Sequence, residues 1–382
     1  MTSLGQVRAG RIDPAAVDVL LARARREVEE GVLPSCQIAL ARHGELVAFE
    51  TFGDATDTTR YVVFSCIKAF VAGAVWALMG DGTLDVSLAV GEYVPEFAAS
   101  GKEAVTVEQL LVHTGGFPHA VLGPPEWYSR ESRLQTFAGW SLEWDPGTAY
   151  EYHPTSAHWV LAEIIERVGG EGYGDVVHRR VTEAVSLPRR VLAIPEEDQG
   201  DIATIEICGQ VATADELEAV LGVRELPRAT DAYEALLYLN QPEVRALGIP
   251  GGGGVMRADH LALFYQAILH DQGRVWRPEI LADATGRIRN RFKDSLFGSP
   301  ANRTLGLTVA GDDGLGFVRG FGTAASPRAF GHGGAAGQIG WADPHSGLSL
   351  GFATNGVDIN VIRQGRRGID ISTLAAACVL SD

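Results

Sequence analysis

The 382-residue chain is short of several things, and each shortage excludes a class of protein. Lysine occurs only as Lys68, Lys102 and Lys293, and Lys plus Arg total 32 against 48 Asp plus Glu. The resulting formal net charge of -16 argues against nucleic acid as a partner, because phosphate backbones are held by basic surfaces. The four cysteines, Cys36, Cys66, Cys208 and Cys378, lie far apart with no C-x-x-C pair, which leaves out a zinc site and a thioredoxin-type motif and predicts free thiols. The longest apolar stretch, residues 69–79, is too short to span a bilayer, so no membrane partner is expected. Residues 1–11 lack the apolar stretch of a secretory signal, and a cytoplasmic location follows as an expectation. Gly251 to Gly254 lacks the G-K-[ST] ending of a phosphate loop and reads as a flexible turn. His153 and His158 have no H-E-x-x-H around them, and neither a cofactor nor a metal is implied.

What is present is the composition of a globular protein, 46% hydrophobic and 21% charged, long enough for two domains or one composite domain with a sizeable core. Asp13-Pro14 followed by Val17, Leu20, Leu21, Ala24 and Val28 at helical spacing marks an opening amphipathic helix. Residues 37–42 and 45–51, joined at His43-Gly44, read as a hairpin. Residues 65–79 form a helix apolar on almost every face, closed by Gly80-Asp81-Gly82. Helical periods then predominate, at 106–113, 156–168, 213–221 and 259–270. Beyond Thr304 short apolar runs at 305–310, 337–342 and 348–354 read as antiparallel strands, since their connections are too short for crossover helices, and 369–380 reads as a closing helix. The fold class is therefore α/β (α+β): an antiparallel sheet flanked by helices and built from both chain ends, with an inserted mainly helical domain. The expected division is 1–64 plus 305–382 for the discontinuous sheet domain and 65–304 for the helical one, with the active site at their interface. No internal repeat or low-complexity tract occurs, and oligomeric state leaves no trace.

Ser65 and Lys68 make an S-x-x-K motif. With 17 serines and three lysines, random placement gives about 0.13 such pairs in a chain of this length. Lys68 is the only charge between Ser65 and Met79, and residues three apart on a helix face one another. A lysine there has a buried partner or a depressed pKa, and either suits an amine that takes the proton of Ser65. At a helix N-terminus the backbone amides also favour negative charge developing at Ser65. A capping serine with a snorkelling lysine is the plainer alternative, but so apolar a helix gives the amine little water to reach. A rival nucleophile, Ser349, stands in Gly347-Leu348-Ser349-Leu350-Gly351, which satisfies G-x-S-x-G. That motif needs a strand, a sharp turn at the serine and a helix, whereas Ser349 lies inside an alternating run. Cys66 reads as packing on the far side of the helix, and Trp76, Trp140, Trp144 and Trp159 as core or pocket wall.

The sequence resembles the serine β-lactamase-like family, which includes penicillin-binding proteins, class C β-lactamases and related carboxylesterases. Leu110 to Phe117 (LLVHTGGF) is similar to the family's L-L-x-H-T-S-G-L segment, Pro146 to Tyr152 to the approach to its Y-x-N motif, Gly251 to Val255 with Asp259 to its Gly-rich turn and helix, and Phe330 to Ala335 to its K-T-G strand. The resemblance implies Ser65 as nucleophile, Lys68 as general base and Tyr152 as the second proton carrier, with Tyr150 a packing neighbour. It implies His332, Gly333 and Gly334 at the substrate, and an oxyanion hole from the backbone N–H groups of Ser65 and Ala335. Two positions depart from the pattern. Pro154 replaces the Y-x-N asparagine and has no amide, and His332 replaces the K-T-G lysine, leaving no fixed positive charge for a substrate carboxylate. Esterase members of the family commonly carry H-x-G there, so the expectation is a serine carboxylesterase with a small-molecule ester or acyl substrate, preferring neutral esters. An acyltransferase using the same acyl-enzyme, a β-lactamase or D-amino-acid peptidase, and a binding or sensor protein acylated once are the alternatives. Residues 120–144 and 196–248, expected to wall the pocket, match no motif, and the acyl and alcohol groups stay open.

Overall fold

Asp13 caps the first helix by accepting from the Ala15 amide at 2.9 Å, and Pro14 supplies the fixed φ of a first turn, so α1 runs over Pro14–Glu29. The computed structural model describes residues 12–225, 230–271, 274–295 and 298–380. The N-terminal segment on which the cytoplasmic expectation rests lies outside them. Strands β1 (Ser35–Arg42) and β2 (Glu45–Gly53) form the hairpin, and His43 and Gly44 take positive φ of 54° and 82°, as a two-residue turn of this hand requires. Strand β3 (Tyr61–Phe64) pairs instead with a strand from the middle of the chain, β4 (Gly254–Met256), Phe64 opposite Gly254. Between β3 and α2 (Ile67–Gly80) only Ser65 and Cys66 intervene, so the apolar helix starts two residues later than its periodicity suggests.

The middle of the chain is mainly helical. It includes α3 (Val107–Leu111), opened by a Thr106–Gln109 capping box, α4 (Ser156–Gly169), ended by left-handed Gly170, and α5 (Ala258–His270). The late strands are β5 (Thr308–Val309), β6 (Phe330–Gly333), β7 (Ile339–Asp343) and β8 (Leu348–Thr354). The first is shorter than the run 305–310 suggests, because Thr304 and Leu307 close a turn in which Gly306 takes φ 91°. The closing helix α6 (Val361–Ala376) begins well before residue 369. Gly365, Gly368 and its arginines hide it from hydrophobic periodicity. Asn360 nevertheless caps it, accepting from the Arg363 amide at 3.0 Å, and buried Arg367 pairs with Glu27 at 2.7 Å and Asp358 at 3.3 Å.

The six-stranded sheet has the order β2-β1-β8-β7-β6-β5 with every neighbouring pair antiparallel, so it is built from both chain ends as expected. One face carries α1 and α6 over Ile38, Leu40, Trp341, Leu350 and Phe352. The other carries α5, so close that a Cβ at Gly351 would lie 2.1 Å from the Ala258 carbonyl oxygen; only glycine permits that approach. No helix among the described residues is long and apolar enough to cross a membrane, and all four cysteines are free thiols.

Candidate active site

Ser65 stands in the turn between β3 and α2, where Phe64 takes the left-handed φ of 45° that swings the chain out of the strand. Lys68 follows one helical turn later, fully buried, with its Nζ 3.1 Å from Ser65 Oγ. The amine also donates to the carbonyl oxygens of Pro154, at 2.8 Å, and Gly251. Burial first, and then the charge of Arg303, hold the Lys68 pKa well below its ordinary value. A neutral amine has two hydrogens, which the two carbonyls take. Its lone pair is then left toward the Ser65 hydroxyl, the arrangement a base needs.

Tyr152 lies over this pair. Its ring centroid is 5.1 Å from Lys68 Nζ and 5.2 Å from the Arg303 guanidinium carbon, and its hydroxyl is buried without a partner. Burial pushes the phenol up to about 12, against the pull of Arg303 and the Ser65 hydroxyl, so it is a proton donor at neutral pH. The segment carrying Tyr152 and Pro154 is fastened by histidines. The His153 amide donates to His113 Nδ1 at 3.2 Å, the Phe117 amide donates to His153 Nε2 at 3.1 Å, and His153 Nδ1 donates to the Glu151 carbonyl at 2.7 Å. Burial pushes His153 down to about 4, so it stays neutral in this role. His158 is buried behind Lys68 with neither ring nitrogen partnered.

On the facing side β6 brings the His332-Gly333-Gly334 run past Ser65. A Cβ at Gly334 would lie 2.5 Å from the Val63 carbonyl oxygen, so the absent side chain is what lets this run approach β3. Cys66 Sγ lies 3.3 Å from the His332 carbonyl oxygen, which puts Cys66 against β6 rather than on the far side of the helix. The Gly334 amide is spent on the Gln338 carbonyl at 2.8 Å, whereas the amides of Ser65 and Ala335 donate to nothing among the described residues. His332 Nδ1 donates to the Gly333 carbonyl at 2.7 Å, so Nε2 is the acceptor and takes a hydrogen bond from Arg303 Nη1 at 3.3 Å. Burial, then Arg303 and Lys68, keep His332 neutral, well below its ordinary pKa.

These groups open on a cavity of about 1150 Å³. Its lining includes the apolar and aromatic Trp127, Leu236, Tyr238, Leu239, Val244 and Ile249 and the polar Tyr150, Asp294, Ser299, Arg303, Thr308 and Arg319. Trp127 comes from the first of the two motif-free segments expected at the pocket, and Tyr233 to Val244 from the end of the second, with Ile249 just beyond it.

A model of the family described as Beta-lactamase matches residues 20–374. The chain belongs to the Beta-lactamase family of serine hydrolases. A penicillin-binding-protein homologue from Caulobacter crescentus superposes with a TM-score of 0.78, covering 96% of this chain and 99% of its own at 24% identity. A family VIII carboxylesterase superposes with a TM-score of 0.76 over 97% and 99% of the two chains at 26% identity. Protein flp of Staphylococcus aureus (strain COL) is 27% identical over 162 residues, or 38% of this chain; the chain spans about a third, 32%, of that curated relative.

Within a Beta-lactamase family chain the two departures now have a geometry. Pro154 offers no side-chain amide, but its carbonyl holds Lys68. The expectation that the site lacks a fixed positive charge is corrected: Arg303 brings a guanidinium to His332 from a different stretch of chain, just ahead of β5. Sequence reasoning missed it because 29 residues separate the two. The only signal was an arginine opening the otherwise apolar run that becomes β5. Ser349 is excluded as nucleophile by position: it is fully buried in mid-strand, donating to the Ala262 carbonyl at 2.8 Å and accepting from Gln266 Nε2 at 2.9 Å.

Proposed function

We propose that the protein is a serine carboxylesterase that works through an acyl-enzyme on Ser65. The observation that carries this reading is the buried Lys68 amine, 3.1 Å from Ser65 Oγ, with two backbone carbonyls placed to take its hydrogens. Ser65 Oγ attacks the ester carbonyl carbon as its proton passes to Lys68, and the oxyanion settles on the amides of Ser65 and Ala335. Tyr152 delivers a proton to the departing alkoxide, and His332, Gly333 and Gly334 lie along the bound substrate. Water, deprotonated by the same groups, then attacks the acyl carbon and releases acid and Ser65. The likeness to a family VIII carboxylesterase, and a histidine where a K-T-G strand has lysine, favour esters over β-lactams.

A second reading, hydrolysis of β-lactams or D-amino-acid peptides, gains support from Arg303, whose charge compensates for the absent lysine, but Pro154 still supplies no carboxamide partner. A hydrolysis screen of p-nitrophenyl esters of graded chain length beside a chromogenic cephalosporin, with Ser65→Ala as control, tests both. Multiple turnovers on esters that vanish in Ser65→Ala are the expected result. Faster turnover of the cephalosporin reverses the order of the two readings, and a single acylation without turnover replaces both with a sensor.

A further inference from the structure

The two amides assigned to the oxyanion belong to different sheets. Ser65 follows β3, which pairs only with β4 among the described residues, whereas Ala335 lies in the turn between β6 and β7 of the six-stranded sheet. No ladder of backbone hydrogen bonds therefore sets the spacing of the two donors. Gln338, the last residue of that turn, bonds to both sides. Its carbonyl accepts from the Gly334 amide at 2.8 Å and closes the turn, in which Gly337 takes φ 85° and donates to the Gly334 carbonyl at 3.2 Å. Its side-chain Nε2 donates to the Val62 carbonyl of β3 at 3.3 Å and to the Thr354 carbonyl at the end of β8 at 2.8 Å. Because both partners are carbonyl oxygens, only the NH2 end of the amide can meet them. Cys66 adds a weaker tie through its thiol, 3.3 Å from the His332 carbonyl oxygen.

Gln338 is 1% exposed and does not line the cavity, so it stays out of reach of a substrate. Its Oε1 is buried without a partner, an orphan that an apolar side chain of the same shape would not create, so packing alone does not call for glutamine here. We infer that Gln338 is a positioning residue: its amide clamps β3 to the β6–β7 turn and so fixes the distance between the amides of Ser65 and Ala335. The inference rests on the acyl-enzyme reading and names a further residue on which that site depends. A neutral ester carbonyl draws little on the two donors, whereas the negative oxygen of the tetrahedral intermediate needs both. A change in their spacing therefore acts on kcat and leaves KM nearly untouched.

The test replaces Gln338 by methionine, which keeps the length of the side chain but cannot donate. With a p-nitrophenyl ester, kcat should fall about 10- to 100-fold while KM stays within about threefold, the cost of a slightly misplaced oxyanion donor. The inhibition constant of a trifluoromethyl ketone, which adds to Ser65 and sets a negative oxygen between the two amides, should rise by the same factor. A lowered Tm with kcat and inhibition constant unchanged overturns the inference, and so does a loss confined to KM. Should Gln338→Met not fold, Gln338→Ser, too short to reach either carbonyl, should show the same pattern. If neither folds, Gln338 holds the fold as a whole and the positioning role is overturned. If the wild type turns over no ester, the esterase reading fails separately, and the inference is read from the rate of fluorophosphonate labelling at Ser65, whose phosphoryl oxygen enters the same two amides. Labelling about 10-fold slower in the variant supports the clamp; an equal rate, or no labelling of the wild type, overturns it.

Discussion

The Lys68 amine nitrogen lies 2.8 Å from the carbonyl oxygen of Pro154, and this bond ties the helix that follows the nucleophile to the segment that carries Tyr152. The residue that removes a side-chain amide from the Y-x-N position therefore still serves the site through its backbone. Proline fixes its own φ, which restricts where that carbonyl can point.

The protonation of Lys68 sets the pH dependence. Burial and the Arg303 charge favour the neutral amine in the folded protein, so the base form is present well below the ordinary lysine range. The kcat/KM for esters should rise with pH through an ionisation well under about 10.4 and then level off. Lys68→Arg, which cannot lose its proton, and Lys68→Ala should both be inactive by at least about 1000-fold. An active Lys68→Arg enzyme in a pH-rate series would remove the lysine from the role of base.

Ser65→Ala should abolish fluorophosphonate labelling, while Ser349→Ala should be labelled like wild type at Ser65 by mass spectrometry. Ser349 instead contributes to stability. Its loss removes the buried hydrogen bond to the Ala262 carbonyl, while the Gln266 amide keeps the Ala41 and Gly347 carbonyls, so the cost should be about 1 kcal/mol, which thermal unfolding would read. A label on Ser349 would contradict the geometry of β8.

The parts of this site that could be read from sequence are those that local geometry creates. Ser65 and Lys68 meet because they are three apart across the turn that leads into α2, and the apolar residues around them announce its burial. Tyr152 and the His332 run could be placed only through resemblance, since nothing local says that α2, β6 and the 150–154 segment converge. Arg303 belongs to neither kind: its partner His332 is joined to it by the antiparallel pairing of β5 with β6, a tertiary fact with no sequence period. The early start of α6 was hidden for a related reason, since Arg367 breaks the apolar pattern yet is buried by pairing with Glu27, far away in α1.

Two glycines separate stability from activity. A methyl at Gly351 would meet the Ala258 carbonyl oxygen at 2.1 Å and push α5 off the sheet, so Gly351→Ala should lose about 1–3 kcal/mol or more of stability. A methyl at Gly334 would meet the Val63 carbonyl oxygen at 2.5 Å, where β6 passes the nucleophile turn. The displaced amide of Ala335 should then cost about 100-fold in kcat, since small misplacements of an oxyanion donor are expensive. Melting temperature and kcat measured on both variants check the split; equal losses of activity per degree of Tm would deny Gly334 a positioning role.

His332→Lys is the substitution that sequence alone offers as a repair, since it rebuilds a K-T-G triplet and should then improve binding of carboxylate-bearing substrates. The structure predicts the opposite for stability. His332 Nε2 accepts from Arg303, and a lysine at that position would exchange an acceptor for a second cation in a buried pocket that already holds a guanidinium. Its folded-state pKa would be depressed by burial and by Arg303, below the unfolded value of about 10.4. Between those two values the unfolded chain binds more protons, so the stability of the variant should rise with pH across that window and fall as pH is lowered through it. Thermal melts of wild type and variant from pH 6 to 10 measure this directly, with a Tm deficit that is largest at pH 6 and narrows toward pH 10. His332→Gln, which keeps a hydrogen-bond acceptor and adds no charge, should show a deficit that does not change with pH. A pH-independent deficit in His332→Lys would mean that its ammonium escapes the Arg303 field and that the two side chains do not share the pocket as the 3.3 Å contact places them.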